Sequence, residues 1–197
     1  ARDLVTETLA KLDEPSKQLD MLAGLSAALK GQRSVPMPQG WEKVETKLSV
    51  SSNPQIQAIA QSLSLTFGSA NALATLKKTL MDESAEAGAR RTALDSLLST
   101  RNASLPPLLQ QLLKSQDLRG PAVRALANYD DPKIPDAILG VYSSLEGGEK
   151  RDALNTLASR AAFAKLMLAS VDGGTIPRNA LTAEIIRQLR NLKNGDI

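Results

Sequence analysis

Three stretches of this chain, RTALDSLLSTR (91–101), PAVRALANYDD (121–131) and KRDALNTLASR (150–160), repeat one pattern. A small apolar residue is followed by a second apolar residue, two variable positions and a leucine: Ala93-Leu94-x-x-Leu97, Ala122-Val123-x-x-Leu126 and Ala153-Leu154-x-x-Leu157. The copies lie 29 and then 31 residues apart. Self-similarity at that period marks stacked helical hairpins, because a unit this short cannot bury its apolar face alone and must lay it against a neighbour. Looser copies extend the series outward: IAQSL (59–63) before the first, IIRQL (185–189) after the third, and MLAGL (21–25) earliest of all. The expected architecture is therefore an all-α solenoid of about six HEAT-like hairpins, forming one domain over 1–197.

Local patterning agrees. Leu105, Leu108, Leu109, Leu112 and Leu113 fall at i, i+3, i+4, i+7 and i+8, one face of a helix, and Ile56, Ile59, Ala60, Leu63 and Phe67, at i, i+3, i+4, i+7 and i+11, likewise share a face. Twelve helices are expected, over about 2–12, 15–30, 41–49, 54–67, 70–81, 84–99, 105–115, 120–128, 132–145, 147–159, 161–172 and 178–193. Apolar residues make up 42% of the chain but aromatics only 3%, so the core is mainly Leu and Ala, which favour helix over sheet. Proline supports the boundaries, since its missing N–H costs nothing in a first helical turn. Asn53-Pro54 and Asp131-Pro132 read as N-cap and first helical residue; Pro15, Pro106-Pro107, Gly120-Pro121 and Ile176-Pro177 also fall at expected starts. Pro135 fits less well, inside the helix that Pro132 opens. GQRSVPMPQG (31–40) is the longest expected break, with extended or polyproline-like backbone.

The residue types present narrow the chemistry. Without histidine the chain lacks the commonest general base, the commonest metal ligand and the neutral-pH switch. Without cysteine it shows nothing of a redox compartment. A serine nucleophile would have no imidazole partner, the carboxylates are scattered, and no calcium-loop pattern occurs. The glycine pairs of EGGEK (146–150) and DGGT (172–175) follow no strand, so phosphate-loop readings fail and helix-terminal turns fit better. The chain is thus expected to be non-catalytic and to hold no cofactor or metal of its own. A net charge of +3, from 24 cationic against 21 anionic side chains, is too small to imply nucleic acid. No apolar run reaches the length of a membrane span, so no membrane insertion is expected. The first residues, ARDLVTETLA, carry neither an initiator Met nor a signal-peptide pattern and read as the start of a processed piece, silent about export.

Three groups of residues are candidates for a role. Asp95, Arg124, Asn155 and Arg187 each stand two residues after the small apolar position. Stacked repeats would bring them about 10 Å apart, where Asp95 and Arg124 could pair across a repeat boundary and Asn155 and Arg187 continue a structural ladder. Arg90, Arg91, Arg119, Lys150 and Arg151 cluster near helix starts and would line one edge as a partner-contact or anion stripe, diluted by Asp95, Asp117, Glu149 and Asp152. Trp41, the single tryptophan, follows the Pro-rich segment and either anchors a partner or closes the core where the loop rejoins it, the latter being favoured.

VPMPQGWEKV (35–44), LRGPAVRALANYDDPKIP (118–135), KRDALNTLASRAAFAKLML (150–168) and IPRNALTAEIIRQLRNL (176–192) occur in that order. Together they resemble the HEAT-like helical region of large multidomain haem-binding (CxxCH), membrane-bound dehydrogenase-like proteins of planctomycetes and related bacteria. In that family a propeller resembling sugar dehydrogenases precedes the helical region and a c-type cytochrome domain follows it. This chain has neither CxxCH nor propeller, so the resemblance transfers no haem site and no catalytic residue. It implies a periplasmic or exported protein, and a monomeric scaffold between redox modules whose partners are flanking domains or another protein. The alternative is a binding module whose concave face holds a protein, peptide or polysaccharide. A reading as a HEAT-like DNA glycosylase would need a strongly basic, aromatic-rich face, which the composition argues against.

Overall fold

The computed structural model describes residues 2–32 and 35–195. Twelve α-helices and two short 3₁₀ turns, with no strand among the described residues, make an all-α protein. The chain forms two compact units, 1–101 and 102–197. The first contains α1 (Arg2–Lys11), α2 (Pro15–Ala28), α3 (Trp41–Ser49), α4 (Pro54–Thr66), α5 (Ala70–Met81) and α6 (Ala87–Ser99). The second contains α7 (Pro106–Leu112), α8 (Arg119–Leu126), α9 (Ile134–Val141), α10 (Gly147–Leu157), α11 (Ala161–Asp172) and α12 (Ala183–Asn191), with 3₁₀ turns at Tyr142–Ser144 and Arg178–Ala180.

All nine residues of the threefold pattern are buried, none more than 4% exposed. Each leucine so buried contributes about 1.5–3 kcal/mol relative to exposure. In the IIRQL copy the second apolar residue escapes: Leu189 and Ile185 are buried, but Ile186 is 39% exposed.

In the 1–101 unit, α1 packs on α3 and α2 on α4, with α4, α5 and α6 following as successive neighbours. The Pro-rich segment crosses from α2 to α3. Its Arg33 and Ser34 lie outside the described residues; beyond them Val35 is buried and its N–H donates to the Thr66 carbonyl at 2.9 Å. Gly40 then turns the chain into α3 at φ +81°, a conformation that glycine adopts without the steric cost other residues incur. Trp41, the next residue, is completely buried: its Nε1–H donates to Ser64 Oγ at 2.8 Å and its ring meets Phe67 edge-on at 4.8 Å. The tryptophan therefore closes the core and offers a partner no surface.

In the 102–197 unit, α7 packs on both α8 and α9, α8 on α10, α9 on α11, and α10 on α11. Alternate helices thus stack on one another, α7–α9–α11 in one row and α8–α10 in the other.

Three helix starts differ from expectation. Asp131 does not cap a helix at Pro132. Its carboxylate accepts from Lys133 N–H at 2.8 Å in a turn, α9 opens at Ile134, and Pro135 stands at its second position, where proline is tolerated. Pro177 leads only into the Arg178–Ala180 turn; α12 begins after Thr182, whose Oγ1 accepts from Ile185 N–H. α6 begins at Ala87, three residues later than expected. The Asn53 cap is as anticipated, its side chain accepting from Gln55 N–H at 2.9 Å.

Candidate functional site

Several ties in the 102–197 unit join residues at one sequence separation. Thr156 Oγ1, buried on α10, donates to the Val123 carbonyl of α8 at 3.0 Å; Arg160 Nη2 donates to the Ala127 carbonyl at 2.7 Å; Gln188 Nε2 of α12 donates to the Asn155 carbonyl of α10 at 3.2 Å. Each spans 33 residues. Two ion pairs run alongside. Arg119 Nε lies 2.8 Å from both Glu149 carboxylate oxygens, and Arg124 Nη1 lies 2.6 Å from Asp152 Oδ2.

Glu149 is also the third residue of α10 and completes a capping box with Glu146, accepting from its backbone N–H at 2.9 Å. Burial by itself would raise the Glu149 carboxyl. The Arg119 guanidinium and the Glu146 N–H outweigh it and hold the carboxyl below its ordinary value of 4.5. The same pairing holds Arg119 above its ordinary range.

Within the 102–197 unit Arg124 takes Asp152 as its ion-pair partner, and Asp95 is exposed on α6 of the 1–101 unit. The expected basic edge divides. Arg90 is buried, and its Nε donates to the Leu80 carbonyl near the C-terminus of α5, where a cation complements the helix dipole. Arg160 does the same for α8 and is further held by Asp130 and by the Phe163 ring, 4.9 Å away. Lys47 of α3 reaches the Ala10 and Leu12 carbonyls at the end of α1, at 3.1 and 2.8 Å. Arg119 is committed to Glu149. Arg91 remains exposed on α6.

The other four residues converge. Lys150, Arg151 and Asn155 of α10 and Arg187 of α12 line one open cleft of about 860 Å³ within the 102–197 unit. Its floor is apolar, from Leu154, Ile185, Ala183 and Pro177, and its polar lining includes Thr182, Ser143 and a single carboxylate, Glu184. Lys150 Nζ sits 5.9 Å over the ring of Tyr142, which is buried and whose phenol burial shifts upward. Arg151 and Arg187 are exposed and form no ion pair among the described residues. The Asn155 side-chain amide has no hydrogen bond among them either.

Sequence reasoning missed Tyr142, Thr182, Glu184 and Ile185 as parts of this cleft. The 32-residue offset between the Ala153 and Ile185 copies was the signal that α12 would return beside α10.

Among the described residues no group of three or more Asp or Glu side chains is placed to hold a metal ion, and no helix is long and apolar enough to cross a membrane. The chain matches no protein-family model, no curated protein and no solved structure.

Proposed function

We propose that this chain is a non-catalytic helical-repeat scaffold, a HEAT-like α-solenoid that holds a dehydrogenase-like propeller and a c-type cytochrome domain at a fixed separation in a larger redox protein. The observation that carries the reading is the constant 33-residue interval of the Thr156, Arg160 and Gln188 ties. Two of these ties join the Ala122 and Ala153 copies and the third joins the Ala153 and Ile185 copies, which supports a repeat array whose hairpins meet through similar surfaces. Within the 102–197 unit these ties fix each hairpin against its neighbour. The flanking modules themselves rest on the resemblance of the four segments quoted above.

The test is a replacement in the parent protein. Exchanging this region for a Gly/Ser linker of equal length leaves each redox module folded but lets their separation fluctuate as a random coil. Electron transfer from the dehydrogenase-like module to the haem, followed by stopped-flow haem reduction, is expected to fall sharply. An unchanged rate would refute the scaffold role, and a parent reading frame encoding no CxxCH would remove the redox context.

A second reading, a binding module, is favoured by the cleft between α10 and α12. Its apolar floor and unpaired cations are features that spacing two modules does not require.

A further inference from the structure

We infer that the cleft between α10 and α12 is a docking site for an extended acidic peptide segment with interspersed apolar side chains. This goes beyond the scaffold reading and stands without it.

Charge supplies the first reason. Wherever this unit uses a cation to join helices it neutralises it: Arg119 with Glu149, Arg124 with Asp152, Arg160 with Asp130. At the cleft that rule lapses. Lys150, Arg151 and Arg187 face a single acid, Glu184, and the two arginines have no ion-pair partner among the described residues. Uncompensated cations around a concavity raise the local concentration of anionic partners and speed their capture.

The floor supplies the second. Pro177 and Ala183, both exposed over the buried Leu154 and Ile185, form an apolar surface that a wholly charged ligand would leave unused. A strand alternating acid and apolar residues meets both parts, because its successive side chains point to opposite sides.

Asn155 supplies the third. Its amide carries donors and an acceptor, the complement of one peptide unit, and it engages neither elsewhere among the described residues. Free phosphate or a nucleic-acid backbone would use only the donors.

The test uses the whole chain. A random heptapeptide display library is selected on wild type, and the enriched sequences are synthesised with a fluorescein label for anisotropy titration. Asp- and Glu-containing peptides with alternating apolar residues are expected, with affinity that falls as salt is added. Both arginines are exposed, so R151E/R187E is expected to keep the wild-type melting curve while binding at least about tenfold more weakly. N155A is expected to lose about fivefold, the worth of one ordinary hydrogen bond. R91E, a charge reversal outside the cleft, is expected to bind as wild type does. Selection without acidic enrichment, or equal affinity for R151E/R187E, overturns the inference. So does labelled duplex DNA, or inorganic phosphate as competitor, engaging the same arginines more tightly than any selected peptide.

Discussion

In the 1–101 unit α3 and α4 are locked by one aromatic pair, Trp41 against Phe67, with Ser64 satisfying the indole N–H. In the 102–197 unit α8 and α10 are locked by Thr156 and two ion pairs, with Arg160 at the start of α11 adding a tie to the end of α8, all spaced by 28 to 33 residues. The first device is singular: it depends on a side chain that occurs once in the sequence and on a loop that delivers it. The second is periodic and each element of it is modest. A singular core concentrates stability in one residue, whereas a periodic seam spreads it over several. Both units share one habit, a cation placed on the C-terminal carbonyls of a neighbouring helix: Lys47 on α1, Arg90 on α5, Arg160 on α8.

Substitutions sharpen that contrast. Trp41→Ala is expected to cost about 3–5 kcal/mol, the range for removing a large buried aromatic, and to strand the Ser64 hydroxyl. Urea denaturation followed by circular dichroism measures it, and a loss below about 1 kcal/mol would mean the first unit does not depend on this pair. Thr156→Val keeps the shape and removes one buried hydrogen bond, so a loss of about 1–2 kcal/mol is expected from the same measurement. A loss approaching that of Trp41→Ala would dissolve the distinction between concentrated and distributed stability.

Glu149→Gln tests the electrostatic part. A carboxyl whose pKa is depressed by folding adds stability that is fully present above its unfolded value and is lost as pH falls through the folded one. Wild type is therefore expected to lose stability more steeply than Glu149→Gln between about pH 5 and pH 3 in thermal melts. Parallel pH profiles would show that the Arg119 contact does not bias the carboxyl. Asp95→Asn is the smallest effect expected, within about 0.5 kcal/mol, because the side chain is exposed. A larger loss would mark Asp95 as a structural ladder residue.

The buried seam was legible because burial on one helix face imposes a period that a sequence displays directly. Ala93, Ala122 and Ala153, with the leucines that follow them, needed no partner to be identified. Helix starts were legible where one residue type decides them, as at Asn53-Pro54. They were not where two candidates compete. Asp131 satisfies Lys133 instead of the helix, and Thr182 with Glu184 two residues on outcompetes Pro177. Polar partners were least legible. Periodicity places Arg124 on a face, but whether it meets Asp152 depends on how far the neighbouring helix is rotated and displaced, which composition and spacing leave open. Arg90 illustrates the same gap: a residue of an expected surface stripe is turned inward by the free carbonyls ending α5. The cleft was half legible, its cations in the sequence and its apolar floor only once α12 lies beside α10.

A double-mutant cycle on Arg119 and Glu149 tests most directly whether α8 and α10, which carry the Ala122 and Ala153 copies of the sequence pattern, are joined through this ion pair. Glutamine at 149 keeps an acceptor for the Glu146 N–H, so Glu149→Gln chiefly removes the charge that faces Arg119. With unfolding free energies from urea titrations of wild type, Arg119→Met, Glu149→Gln and the double variant, the double variant is expected to lose clearly less than the two single losses added together. Strict additivity would mean that the two helices do not meet through this pair, and the repeat-to-repeat seam described here would be contradicted.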